Sequence, residues 1–270
     1  MAEQVIDFLL GSRLVFFVIF FACLQAFLEI GLEIGRRRRA RIGKDADEGA
    51  SLVVGSILGL LAFMLALNLS NASSRYDRRL DATLDEVNAI GTAMMQAGSV
   101  GGDQAEALTA DLREYLLLRH DFLNADRKDH EIVEINAATN ALQNRIWARL
   151  SQRIGESPTA PVTSLMNALN NAFDASTAMR LAMEYRMPIQ VVVLLLAMSL
   201  LGASAIGYQF GLFARRSRAP GIVLSVLWCV VVTQIIDIGS ARIWSFRTDT
   251  RVYEWSMKSL DLIPATAEPR

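Results

Sequence analysis

The stretch LVFFVIFFACLQAFLEIGLEI, residues 14–34, decides the fold, because it is long and apolar enough to cross a bilayer as one helix. Crossing a hydrocarbon core of about 30 Å takes about 20 such residues, and only a helix or a closed barrel satisfies its own backbone there. Three further stretches of this kind follow at 50–69, 188–211 and 220–240. The pattern predicts an all-α protein with four transmembrane helices. The first stretch is too long for the apolar core of a secretion signal, so we expect a retained helix.

A polar segment of more than a hundred residues, 71–186, separates the second apolar stretch from the third. Its apolar residues recur at helical spacing, as at Ile132, Ile135 and Leu142, which is typical of helices with one buried face. We therefore predict a helical extramembrane domain inserted between the second and third transmembrane helices. The predicted division is a first hairpin (1–70, with a basic loop at 35–49), the extramembrane domain (71–186), a second hairpin (187–240) and a C-terminal tail (241–270).

The composition and motifs argue against several classes of function. The formal net charge is −1 and no nucleic-acid-binding motif is present, so we expect no nucleic-acid partner. Cys23 and Cys229 both fall in apolar stretches, where a structural disulfide is not expected. No phosphate-binding loop, serine-hydrolase elbow or zinc-protease motif occurs, and His120 and His130 have no diagnostic ligand spacing. We expect no enzymatic activity, no cofactor and no metal site.

A run of arginines follows the first apolar stretch, and a second basic loop lies between the third and fourth stretches. Short basic loops mark the cytoplasmic side of a membrane, which would put the 71–186 segment outside the cytoplasm. A polybasic segment beside a membrane helix can also bind lipid headgroups. Topology signal and lipid contact are thus the two interpretations of Arg36, Arg37, Arg38, Arg39 and Arg41.

Three carboxylates fall within or at the ends of the apolar stretches. Glu29 and Glu33 lie one helical turn apart and share a face, and Asp237 lies near the end of the fourth stretch. A carboxylate facing lipid is costly, so these side chains should face protein, water or an arginine. They are candidates for a polar, ion-lined passage or for ion pairs, with Arg36 or Arg37 for Glu33 and Arg242 for Asp237.

Small residues at helical spacing predict close helix packing. The candidates form two G-x-x-x-G pairs and a small-residue stretch in the third transmembrane helix. They serve packing within one protomer or between protomers, and the pattern alone does not separate the two. These residues are Gly31, Gly35, Gly55, Gly59 and Gly202.

Two short motifs follow the second apolar stretch. They read RYDRR at 75–79 and EVNAIGT at 86–92. The second resembles the E-A-N-A-I-G-T motif of the bestrophin-like family, four-pass membrane proteins of bacteria and plants with largely unknown function, and departs from it only at Val87. In the fourth stretch Asp237 matches the family's aspartate-rich ending, whereas the second aspartate, the proline and the following glycine of that ending are missing.

This resemblance implies ion passage, because bestrophins are oligomeric anion channels with four membrane helices per subunit. It also implies a cytosolic middle domain, which conflicts with the orientation that the basic loops indicate. Glu86, Asn88 and Gly91 lie close to the membrane exit of the second helix, where a polar ring in an oligomer could line or gate a vestibule. The alternative to pore lining is a structural role for these residues, with Glu86 paired to Arg78 or Arg79.

Two functional hypotheses follow from the sequence. The first is a homo-oligomeric ion channel, anion-conducting by resemblance, whose pore is formed by the second helix and its extension. The second is a non-conducting sensor or scaffold with a helical extramembrane domain. The expected partners are the lipid bilayer, further copies of the chain and, for a channel, inorganic ions. The expected location is a bacterial inner membrane.

Overall fold

A computed structural model describes residues 12–42, 48–101, 103–125, 129–185, 187–213, 219–242, 244 and 247–260. Every regular element within these ranges is an α-helix. The helices are α1 (Arg13–Ile42), α2 (Glu48–Val100), α3 (Asp103–Asn124), α4 (Asp129–Glu156), α5 (Ala160–Glu184), α6 (Ile189–Leu212), α7 (Ala219–Gly239) and α8 (Arg251–Ser259).

Four helical stretches of the described residues are long and apolar enough to cross a membrane. In the most apolar 18-residue segment of each stretch, only 17% to 44% of the residues are buried inside the protein. Most of these apolar side chains therefore face outward, as expected for helices in contact with lipid. The prediction of an all-α fold is thereby confirmed for the described residues, as is the prediction of four helices long and apolar enough to span a membrane, which supports an integral membrane protein. The stretches are Arg13–Arg41, Ser51–Val100, Ala160–Leu212 and Ala219–Gly239. The third range contains both α5 and α6 and includes residue 186, which lies outside the described residues.

The chain divides into two compact units. The first contains residues 1–75 and 186–246, and the second contains residues 76–185 and 247–270. In the first unit α1 packs against α6 and α7. Its core includes Leu24 of α1 and Val232 and Ile235 of α7, which are all fully buried.

Glycines allow the backbones of α1 and α6 to touch. A Cβ placed on Gly31 would lie 1.9 Å from the carbonyl oxygen of Ser204, and one on Gly207 would lie 2.0 Å from that of Leu28. Gly35 faces the backbone of α6 in the same way, and a Cβ on Gly202 would meet the side chains of α2 and α7. Three of the predicted packing glycines therefore act inside the protomer.

Gly55 and Gly59 differ from these three glycines. A Cβ at either position would meet nothing within 4 Å among the described residues. This G-x-x-x-G pair on α2 therefore lies on an open surface of the described part of the chain.

The second unit is held together by apolar stripes on its helices. Leu108, Leu112 and Leu116 of α3 and Ile146 of α4 are fully buried, and α4 packs against both α3 and α5. Gly101 has a φ of 72°, a left-handed conformation that suits glycine, where the chain turns from α2 into α3. Of the residues whose spacing predicts a buried face on α4, Leu142 is buried, and Ile132 and Ile135 are half-buried.

Two details of this unit were not predicted from the sequence. Residues 251–259, which we expected within a C-terminal tail, form α8, which packs on α3 inside the unit. Leu84 of α2 is apolar but 45% exposed, whereas Val87 and Ile90 are buried. The buried face of α2 in this unit is therefore the face that carries Val87 and Ile90.

Candidate functional site

A buried ion cluster joins three helices of the second unit. Glu86 of α2 accepts a hydrogen bond from Arg119 Nε of α3 at 2.6 Å, and its other carboxylate oxygen accepts one from the hydroxyl of Tyr253 on α8. The three side chains are 0% to 1% exposed. We call this group, Glu86, Arg119 and Tyr253, the Glu86 cluster.

Opposite charges are paired in the Glu86 cluster, the guanidinium of Arg119 with the carboxylate of Glu86. Burial is the largest single influence on Arg119 and opposes its charge, but the interactions with Glu86, Tyr253 and Tyr115 together outweigh burial and raise the pKa of Arg119. Burial, followed by the negative charge of Glu86, raises the pKa of Tyr253 well above its ordinary value. Arg119 therefore stays charged and Tyr253 keeps the proton that it donates. The guanidinium of Arg119 also lies 4.4 Å from the centre of the Phe122 ring, a cation–π arrangement.

Further polar contacts cross-link the helices around this cluster. Tyr115 of α3 accepts a hydrogen bond from Gln143 Nε2 of α4 at 2.8 Å, and burial raises the pKa of Tyr115. Asp111 of α3 uses one carboxylate oxygen for Arg145 at 3.0 Å and the other for Arg149 at 2.7 Å. The second unit is thus tied together by charged and polar side chains as well as by its apolar stripes.

Glu86 and Asn88 lie on opposite sides of α2. Two residues along an α-helix are about 200° apart around its axis, and Asn88 is accordingly exposed while Glu86 is buried. Gly91 is half-buried, and Met95, one turn beyond, is 73% exposed. The open face of α2 in this unit also includes Asp77 and Asp81.

The carboxylates of the transmembrane helices have different surroundings. Glu33 pairs with Arg37 at 2.8 Å, and both side chains are exposed; this partner was one of the two predicted from the sequence. Asp237 is buried and lies 3.4 Å from Arg13, a partner that the sequence did not indicate. Glu29 is half-buried on α1.

The two histidines stand in ordinary local contacts. His120 lies 2.9 Å from the side-chain amide of Asn124, and His130 lies 3.4 Å from Glu134. Within the described part of the chain, no three residues among His, Cys, Asp and Glu come together as a group that could hold a metal ion.

Arg119 and Tyr253 were missed as functional candidates. Arg119 lies 33 positions after Glu86, and Tyr253 lies 167 positions after it. A pairing at helical spacing can be read from a sequence, which is why Arg78 and Arg79 were considered for Glu86. A buried arginine inside a polar segment has no such local signal.

Comparison with solved structures identifies the fold. Two point-mutant structures of a bacterial bestrophin homologue from Klebsiella pneumoniae each match with a TM-score of 0.64; one is 14% identical and covers 90% of this chain and 98% of its own, and the other is 13% identical and covers 93% and 98%. A third structure of that homologue, phased on zinc, has a TM-score of 0.62 at 13% identity and covers 88% and 96%. No family model and no curated protein matches the chain.

Proposed function

We propose that this chain, which has the fold of the bacterial bestrophin homologues, is one subunit of a homo-oligomeric ion channel in a bacterial inner membrane. In this proposal residues 71–186 form a helical extramembrane domain. The open face of α2 surrounds the axis shared by the subunits. Asn88 and Gly91 line the passage, and Glu86 holds the lining helix in place from behind.

The observation that carries the proposal is the division of α2 into two faces. Glu86, Val87 and Ile90 are buried within the subunit, so one face of the helix is used by the subunit's own core. Asn88 and Met95 are exposed on the open side. A helix fixed on one side and open on the other is the kind of element that lines a shared axis, because a four-helix subunit has little room for a passage of its own.

The remaining polar candidates take supporting roles in this proposal. The buried carboxylate of Asp237 is paired with Arg13, which suits a structural ion pair at the end of α7. The exposed pair of Glu33 and Arg37 suits the membrane interface. Glu29 is half-buried one turn before Glu33 and remains a candidate for the passage.

Two features of the chain point to opposite ion selectivities. The bestrophin resemblance favours anions. The exposed carboxylates of Asp77 and Asp81 on α2 would instead attract cations if they face the axis, because rings of acidic side chains select cations. The reversal potential under a salt gradient separates these two outcomes directly.

The test is ion flux through the purified protein in liposomes, with the variant Asn88→Asp. A new ring of carboxylates on the axis should raise cation permeability relative to anion permeability. The matched control is Asn140→Asp, the same change at an exposed position of α4, which should leave the ratio unchanged. Equal changes of the permeability ratio in the two variants would show that Asn88 of α2 does not line the passage. If no ion flux is measured under any gradient, the channel proposal fails and the non-conducting sensor or scaffold is favoured.

A further inference from the structure

The first unit contains a groove of about 730 Å³ between α1, α2 and α6. Its lining is mostly apolar and includes Val53, Ile57 and Leu60 of α2 and Leu201 of α6. Val53, Leu60 and Leu201 are each about half exposed. In a transmembrane unit, an open apolar groove faces hydrocarbon, so its natural occupant has an apolar chain.

Two of the three polar side chains that line the groove lie at one end, and the third, Ser204, lies one turn from it on α6. Arg38 near the end of α1 and Tyr208 near the end of α6 both line it. The start of α2 reaches the same end, where Gln209 Nε2 lies 3.4 Å from Ser51 Oγ. The opposite end, at Leu60, is apolar. The groove thus has one cationic end and one apolar end.

The length of the groove fits one leaflet of a bilayer. Its lining on α2 extends from Gly49 to Leu60, and its lining on α6 extends from Met198 to Tyr208. At a rise of about 1.5 Å per residue these segments are about 16 Å and about 15 Å long. Half of a hydrocarbon core of about 30 Å is about 15 Å. An acyl chain of one leaflet would therefore fill the groove from the headgroup level to the midplane.

We propose that this groove binds one anionic phospholipid per subunit, with the phosphate at Arg38 and an acyl chain along Ile57, Leu60 and Leu201. The planar guanidinium of arginine matches the geometry of a phosphate group, and basic pockets between transmembrane helices bind anionic headgroups. The neighbouring arginines of α1 add attraction for anionic lipid but do not line the groove. The proposal does not depend on ion conduction.

The test compares nanodiscs of phosphatidylcholine alone with nanodiscs that also contain phosphatidylglycerol. Native mass spectrometry counts the retained phospholipid, and thermal unfolding measures the stabilisation that phosphatidylglycerol adds. We expect one retained phosphatidylglycerol per subunit. Arg38→Gln should weaken its binding about tenfold, the usual loss for a hydrogen bond to a charged group. The matched control is Arg37→Gln, which removes the same charge at the preceding position. Arg37 pairs with Glu33 and does not line the groove.

The outcomes distinguish a lipid held in the groove from a diffuse basic surface and from a second copy of the chain. Equal losses in Arg37→Gln and Arg38→Gln would overturn the proposal, because a diffuse basic surface would produce both. A second variant, Leu201→Trp, fills the apolar part of the groove. Loss of the retained lipid with an unchanged oligomer mass would support the proposal. Dissociation of the oligomer by Leu201→Trp, with no lipid retained by the wild type, would mean that a second copy of the chain covers the groove.

Discussion

Removal of the Tyr253 hydroxyl should destabilise the second unit. In Tyr253→Phe the ring remains, but one oxygen of the buried Glu86 carboxylate loses its donor. A hydrogen bond to a charged group contributes about 1.5–3 kcal/mol. For a chain of this size, about 2–4 °C of melting temperature corresponds to 1 kcal/mol, so we expect a decrease of about 3–12 °C. The loss arises from an unsatisfied buried charge, because the apolar packing of the ring is preserved.

The assay is thermal unfolding of the full-length protein in one detergent, followed by tryptophan fluorescence. The matched control is Tyr185→Phe, the same change at a side chain that is 58% exposed, where we expect a change within about 0.5 kcal/mol. Arg119→Met should cost more than Tyr253→Phe, about 3–5 kcal/mol, because it leaves the Glu86 charge without its cation. A decrease for Tyr253→Phe no larger than that for Tyr185→Phe would refute the idea that the Glu86 cluster fixes α8 to α2.

Three further predictions test other parts of the structure. Folding raises the pKa of Tyr253, so the stabilisation linked to this shift is complete below pH 10 and is lost as the pH rises through the pKa of the folded state. The melting temperature of the wild type should therefore decrease more between pH 8 and pH 11 than that of Tyr253→Phe. Equal decreases would contradict this prediction. Gly31→Leu should prevent a monodisperse preparation on size-exclusion chromatography, whereas Gly55→Leu should leave the subunit folded; equal elution profiles would contradict the close contact at Gly31. Asp111→Asn should lower the melting temperature by about 2–4 °C per kcal/mol lost, because Arg149 loses the carboxylate of Asp111 and Arg145 keeps only its pairing with Glu114. An unchanged melting temperature would show that the contacts of Asp111 contribute nothing to stability.

The membrane part of the fold was predictable because its signal is local. Four apolar stretches of sufficient length specify four spanning helices without knowledge of their partners. The local spacing of Gly31 and Gly35 indicated close helix packing, but it did not identify α6 as the partner helix. The exposed surroundings of Gly55 and Gly59 could not be predicted, because the two G-x-x-x-G pairs look alike in sequence and differ only in what lies opposite.

The candidate site was only half predictable. Glu86 and Asn88 were selected from one motif, but their opposite placement depends on which face of α2 the subunit buries. That face carries Val87 and Ile90, whereas Leu84 is exposed. All three residues lie within an arc of about 120° around the axis of α2, so the spacing alone does not show which of them is buried. Partners such as Tyr253 come from a distant helix, and their position is set by tertiary packing that no local pattern encodes.

The central claim is that the open face of α2 surrounds an axis shared by several subunits. The most direct measurement is electron cryo-microscopy of the full-length protein in nanodiscs. We predict a symmetric ring in which Asn88 points toward the axis and Glu86 points away from it into its own subunit. A monomer, or an oligomer in which Asn88 lies on the outer surface and an apolar contact closes the axis, would contradict the claim.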